Sequence, residues 1–233
     1  MKRLIYLLIL ILISCNGHKQ AADISFHDYR YPLDSVIEPK VFIYERTDSV
    51  NFLTAHFEQL ISKNNQLLLI RYSLAEGNMR DSSVFIVSYN SNPMLLESFL
   101  LMKDKKTNLV KRSMGQIIKR TDNGSEHHSK IRYTNPFDES LISIITSNSV
   151  YDTILIFPLN DKKLDCLRFK ENHTISIKHK YIPFIGKSFE RSGESIIAKG
   201  IGLVYYSTTD PKTKLTYSFR LKEIINYNEY LKH

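Results

Sequence analysis

The strongest constraint on the fold is a succession of β-branched and aromatic runs divided by very short polar breaks. Lys40 to Arg46 reads KVFIYER. Gln66 to Ala75 (QLLLIRYSLA) and Ser82 to Tyr89 (SSVFIVSY) are separated by the turn EGN, which reads as a hairpin. GQIIKRT and SKIRYT flank DNGSEHH, where Asn123-Gly124 is a strong hairpin signal. DTILIFPL (Asp152 to Leu159) and DCLRFK are divided by NDKK, and HTISIKHKYI alternates Ile175 and Ile177 with Ser176 and Lys178. Near the C-terminus GIGLVYYSTT and KLTYSFRLKEI are joined by DPKT, with Asp210-Pro211 suited to opening a tight turn. Short connections between consecutive strands imply antiparallel meander pairing rather than βαβ units.

Two stretches read as helices. SVNFLTAHFEQLISKN places Val50, Leu53, Phe57, Leu60 and Ile61 on one helical face, with Asp48 or Ser49 as N-cap. Leu53, Ala55 and Phe57 also alternate, so a strand over 49–63 stays open. NPFDESLISIITSN offers Asn135 as N-cap, Pro136 at the first helical position and acidic residues in the first turn, which predicts a helix there. The expected fold is mainly β: a single large curved antiparallel sheet, a half-barrel of about ten to twelve strands, with one or two helices.

The N-terminus constrains location. Lys2 and Arg3 precede the apolar run Leu4 to Ile13, which is about half the roughly 20 residues needed to cross a bilayer and has the length of a signal-peptide core. The run ends in Leu12-Ile13-Ser14-Cys15, which resembles the lipobox of bacterial lipoproteins. That resemblance implies cleavage before Cys15, lipid on its thiol and acylation of the new amino group. Several acyl chains would hold the chain firmly on a membrane. Asn16, in place of an aspartate, and the lack of an acidic cluster after Cys15 imply by the same resemblance the outer membrane, facing the periplasm. The expected organisation is a signal peptide at 1–14, a lipid-anchored tether at 15–37 and a β-rich globular domain at 38–233.

With Cys15 lipidated, Cys166 has no intramolecular partner. Its place between Leu164 and Leu167 suits a buried small hydrophobe. The chain carries 32 Lys and Arg against 24 Asp and Glu, a net +8. Removing Lys2 and Arg3 leaves 30 − 24 = +6. The basic residues are scattered, densest from Lys103 to Arg132, and no aromatic–basic repeat suggests nucleic acid. Anionic headgroups fit the compartment better.

No motif carries a reaction. Gly186-Lys187-Ser188 lacks the P-loop's earlier glycine, because Tyr181 stands there. Gly200-Ile201-Gly202 opens a strand, where the glycines suit a bulge or bend. No G-x-S-x-G elbow occurs. His127, His128, His173 and His179 lack zinc-site spacing and read as turn or surface residues, and Asp138-Glu139 reads as a helix start. No cofactor and no enzymatic activity are expected.

The sheet and helices resemble LolA/LolB-like half-barrels, in which a curved sheet encloses an apolar cavity. KGIGLVYY (Lys199 to Tyr206) is similar to a GxGLV strand of some β-rich envelope lipoproteins. The expected function is a membrane-anchored binding or carrier module for an apolar or amphiphilic ligand. The alternative is a structural or assembly subunit of an outer-membrane complex, with an envelope protein as partner.

Overall fold

In the computed structural model the described residues are 26–29, 33–47, 53–75, 78–88, 91–103, 107–182 and 184–232. Cys15, and with it the lipidation assignment, lies outside them. The twelve strands described are β1 (Lys40–Arg46), β2 (Leu53–Lys63), β3 (Gln66–Ala75), β4 (Asn78–Ser88), β5 (Ser91–Lys103) and β6 (Val110–Asp122). There follow β7 (Glu126–Asn135), β8 (Asp138–Leu159), β9 (Lys162–His179), β10 (Gly186–Ala198), β11 (Gly202–Thr209) and β12 (Thr216–Asn226). One short helix, α1 (Tyr227–Tyr230), follows β12, and two 3-10 turns, Phe26–Tyr29 and Leu33–Val36, precede β1.

Every strand pairs antiparallel with the next, as a mainly β meander should, and the curved sheet goes on to close. β1 pairs with β12 from Lys40 opposite Asn226 to Arg46 opposite Phe219, making a twelve-stranded barrel with no free edge. Register shifts at Ile43/Tyr44, Ile117/Lys119, Tyr151/Thr153 and Ile196/Ile197 mark bulges, the usual means of bending strands around a barrel. Gly200 and Gly202 sit at the β10–β11 connection with φ of 71° and 97°, a conformation that disfavours other residues.

Both expected helices are corrected. The described part of 49–63 is β2, paired with β1 on one side and β3 on the other; the proposed caps Asp48 and Ser49 lie outside the described residues. The 135–148 stretch ends β7 and begins the 22-residue β8. Asn135 Oδ1 accepts the Phe137 amide at 2.9 Å, and Asp138 Oδ1 accepts the Ser140 amide at 3.0 Å. These are turn-type bonds made by the same side chains that would have capped a helix. The β-branched run Ile142, Ile144, Ile145, Thr146 then favours the strand.

Two apolar clusters lie against β1. Phe42 and Tyr44 join Leu69, Val204, Leu221 and others in the larger one, while Val41, Ile43, Ala55 and Phe57 form a second. The second is covered by Tyr227 and Tyr230 around α1, with the Phe57 and Tyr227 rings 4.7 Å apart. The Tyr227 amide bonds Pro39 O at 3.0 Å, tying α1 to the approach to β1. Leu33 and Val36 are buried in the larger cluster, so the 3-10 turn that carries them packs on the barrel.

Candidate functional site

Alternation along β2 and β3 places His56 opposite Ser73 and Glu58 opposite Arg71. The Arg71 guanidinium donates to Glu58 Oε1 at 2.5 Å and lies 5.7 Å from the Phe85 ring centre. Glu58 is 3% exposed, and its second oxygen has no hydrogen-bond partner. Burial raises its carboxyl above the usual range, although the Arg71 charge and hydrogen bond oppose the shift. His56 lies between Tyr44 and Tyr206, with ring centres 4.9 and 6.1 Å away. Burial, reinforced by the Arg71 charge, lowers it to about 3, so its imidazole is neutral. The Tyr44 hydroxyl, raised by burial, donates to Leu203 O at 3.0 Å.

A second polar group comes from β6 to β10. His127 Nδ1 stands 2.7 Å from Asp122 Oδ1, which also accepts the Gly124 amide at 2.9 Å. Ser195 donates to Glu171 Oε1 at 2.5 Å, and His173 bridges Glu171 Oε2 and Ser147 Oγ at 3.1 and 3.0 Å. Burial pushes the Glu171 carboxyl up, but hydrogen bonds from His173 and Ser195 outweigh it and leave it below its usual range.

Between these groups is a cavity of about 620 Å³. Its polar lining includes Arg71, Asp122, His127, Glu171 and Ser195. Its apolar lining includes Leu167, Phe169, Leu203, Tyr206 and Phe26, and the two are interleaved, with Phe169 paired to Ser195 across β9 and β10. A smaller cavity of about 240 Å³ adjoins it, sharing Asp122, His127, Ser149 and Glu171 and reaching Phe85, Arg120, His128 and His173. Phe26 is held in place by Tyr151, edge-on at 5.3 Å, and by Gly124, whose φ of 87° brings its backbone close beneath the Phe26 ring.

The histidines do not all fit the surface reading. His127, His128 and His173 all line the cavities. His179 is the last residue of β9, paired with Leu141, and its Nδ1 accepts from the turn that follows. Asp138 is exposed at the start of β8, not in a helix. Cys166 has no exposed surface, bonds Leu164 O, and has its thiol pushed up to about 11 by burial. Among the described residues no three His, Cys, Asp or Glu side chains are placed to hold a metal ion. Ser195 gives its proton to the Glu171 carboxylate, and His173 engages the other oxygen of that carboxylate and not Ser195. Sequence reasoning missed Arg71, Asp122 and Glu171 as site residues. Arg71 carries a signal, the one charge in the apolar run QLLLIRYSLA, whereas Asp122 and Glu171 stand among other charges in β6 and β9 and carry none.

No family model matches the chain, and no curated protein is similar to it. Two solved structures are similar. One, from Parabacteroides distasonis ATCC 8503 and described as a lipoprotein, is 10% identical, with 81% of this chain and 95% of that chain covered and a TM-score of 0.48. The other, from Bacteroides fragilis NCTC 9343 and described as an exported protein with a YmcC-like fold, is 10% identical, with 82% and 96% covered and a TM-score of 0.49. The chemistry of the cavity rests on its own residues.

Proposed function

We propose that the protein is an envelope lipoprotein, anchored by lipid on Cys15 in the outer membrane and facing the periplasm, whose barrel binds an amphiphilic ligand. The observation that carries this reading is the mixed lining of the cavity. Phe26, Leu167, Phe169, Leu203 and Tyr206 offer aromatic and aliphatic surface for an acyl or ring system, and Arg71, Asp122, Glu171 and Ser195 among them offer donors and acceptors for a polar head. Its volume suits one small amphiphile. Phe26, in the cavity lining, lies only eleven residues from Cys15. Eleven residues span at most about 40 Å, which keeps the cavity near the bilayer from which an amphiphile would be drawn.

The test separates anchor from cargo. Cells are labelled with radioactive palmitate, and the full chain is purified from membranes and examined by native mass spectrometry. Ser73 lines the cavity. Wild type is expected to carry label and a bound amphiphile; Ser73→Trp, which fills the space, keeps the label and loses the amphiphile; Cys15→Ala loses the label. Wild type without a bound amphiphile, or Ser73→Trp with the same one, refutes the binding reading. Unlabelled wild type refutes the anchor alone.

A further inference from the structure

The β9–β10 turn lies at the opposite end of the barrel from Phe26 and displays an apolar tip. Phe184 is 96% exposed and Tyr181 71%, flanked by the exposed Ile182 and Ile185. Such a concentration of large apolar side chains on one turn requires a partner in water. The turn is also unusual in how its backbone is satisfied. The His179 amide bonds Ile185 O at 3.0 Å, and the Lys180 amide bonds Ser140 O at 2.6 Å. The Tyr181 and Ile182 amides both donate to His179 Nδ1 at 3.2 Å, and the Ile185 amide donates to Ile182 O at 3.2 Å. Five of the backbone amides around the turn are thus bonded within the protein, which lowers the cost of bringing them to a lipid interface.

The surrounding charge selects the surface. From Asn172 to Phe189 the chain has no acidic residue and three lysines, Lys178, Lys180 and Lys187, all exposed. Lys180 lies 5.2 Å from the Tyr181 ring centre, and Lys212 of the neighbouring β11–β12 turn lies 5.8 Å from that of Phe189. The acidic groups nearby are Glu190, one residue past Phe189, Asp210 of the β11–β12 turn, and Asp138 and Glu139 at the start of β8; the Asp138 carboxylate is engaged by Ser140, and Asp210 Oδ1 accepts the Lys212 and Thr213 amides. We infer that the β9–β10 turn is a membrane-binding tip that inserts Tyr181, Ile182, Phe184 and Ile185 into a bilayer bearing anionic headgroups, which its lysines contact. This site is separate from the cavity and from Cys15. Apolar insertion and lysine attraction act together there.

The chain contains no tryptophan, so Phe184→Trp supplies a single fluorescent reporter at an exposed position. The full chain is held in zwitterionic nanodiscs and titrated with vesicles of phosphatidylcholine alone or mixed with phosphatidylglycerol. The mixed vesicles are expected to shift the emission to the blue and, when brominated, to quench it; phosphatidylcholine alone is expected to do so far more weakly. Lys178→Gln, Lys180→Gln and Lys187→Gln together, on the Phe184→Trp background, are expected to weaken vesicle binding about a hundredfold, at roughly a kilocalorie per lysine. Unchanged emission with every vesicle overturns the proposal. So does equal response to both vesicle types, and so does a blue shift that follows protein concentration without vesicles, which would assign the tip to a second copy of the chain.

Discussion

His56 makes the stability of this barrel depend on acid in a way that one substitution isolates. Its imidazole packs half-buried against Tyr44 and Tyr206, beside Arg71, and is lowered from 6.5 to about 3. The unfolded chain therefore takes up a proton at this residue below pH 6.5, while the folded chain does not until near pH 3. Stability is lost as pH falls through that window, at about 1.4 kcal/mol per unit. Between pH 7.5 and 5.0 the loss from this group is about 2 kcal/mol. With a urea dependence of about 2–3 kcal/mol per molar, the midpoint falls by about 0.7–1 M. Other groups overlap: raised Glu58 costs stability as pH rises above 4.5, and lowered Glu171 costs it as pH falls below 4.5. The decisive quantity is thus the difference between wild type and His56→Phe, which keeps an aromatic ring and cannot take the proton. Urea melts followed by tyrosine fluorescence at the two pH values measure it. Wild type should lose about 2 kcal/mol more than the variant on acidification, and parallel losses would refute a neutral imidazole packed beside Arg71.

Gly115 faces Ile131 and Tyr133, and a Cβ there would stand 2.7 Å from both side chains; Gly115→Ala should cost about 1–3 kcal/mol in a thermal or urea melt. Tyr44→Phe removes the bond to Leu203 O and should cost about 1 kcal/mol in the same assay. Cys166, with its thiol raised to about 11 and no exposed surface, should resist maleimide at pH 8 in the native protein and label fully in urea, as peptide mass spectrometry would show.

The strands were legible because most have turn chemistry at their ends. Asn123-Gly124, Asp210-Pro211 and the Asn160-Asp161 break all fall where the chain reverses. The helix reading of 49–63 failed because β2 is covered on both faces. His56 and Glu58 face inward, while Ala55 and Phe57 lie under α1, so the alternation that marks a half-buried strand is blurred. Asn135, Pro136 and Asp138 misled for a different reason, since capping and tight turns use the same side-chain acceptors. Barrel closure was not legible at all. It depends on β1 meeting β12 across nearly the whole chain, and no local pattern encodes that contact. The cavity followed the same rule: Arg71, Asp122 and Glu171 come together only once separate strands are in register.

The seam between β1 and β12 also governs when the molecule can become itself. Lys40 pairs with Asn226, so the first strand made has to wait for the last before its open side is covered. Any earlier intermediate exposes two unpaired strand edges, and edges of that kind recruit other chains. Premature termination ahead of Thr216 would leave β1 and β11 in that state permanently, so truncated products should aggregate or be degraded rather than accumulate as smaller barrels. A holding factor acting on the emerging chain would need to release it only after Asn226 is free to pair.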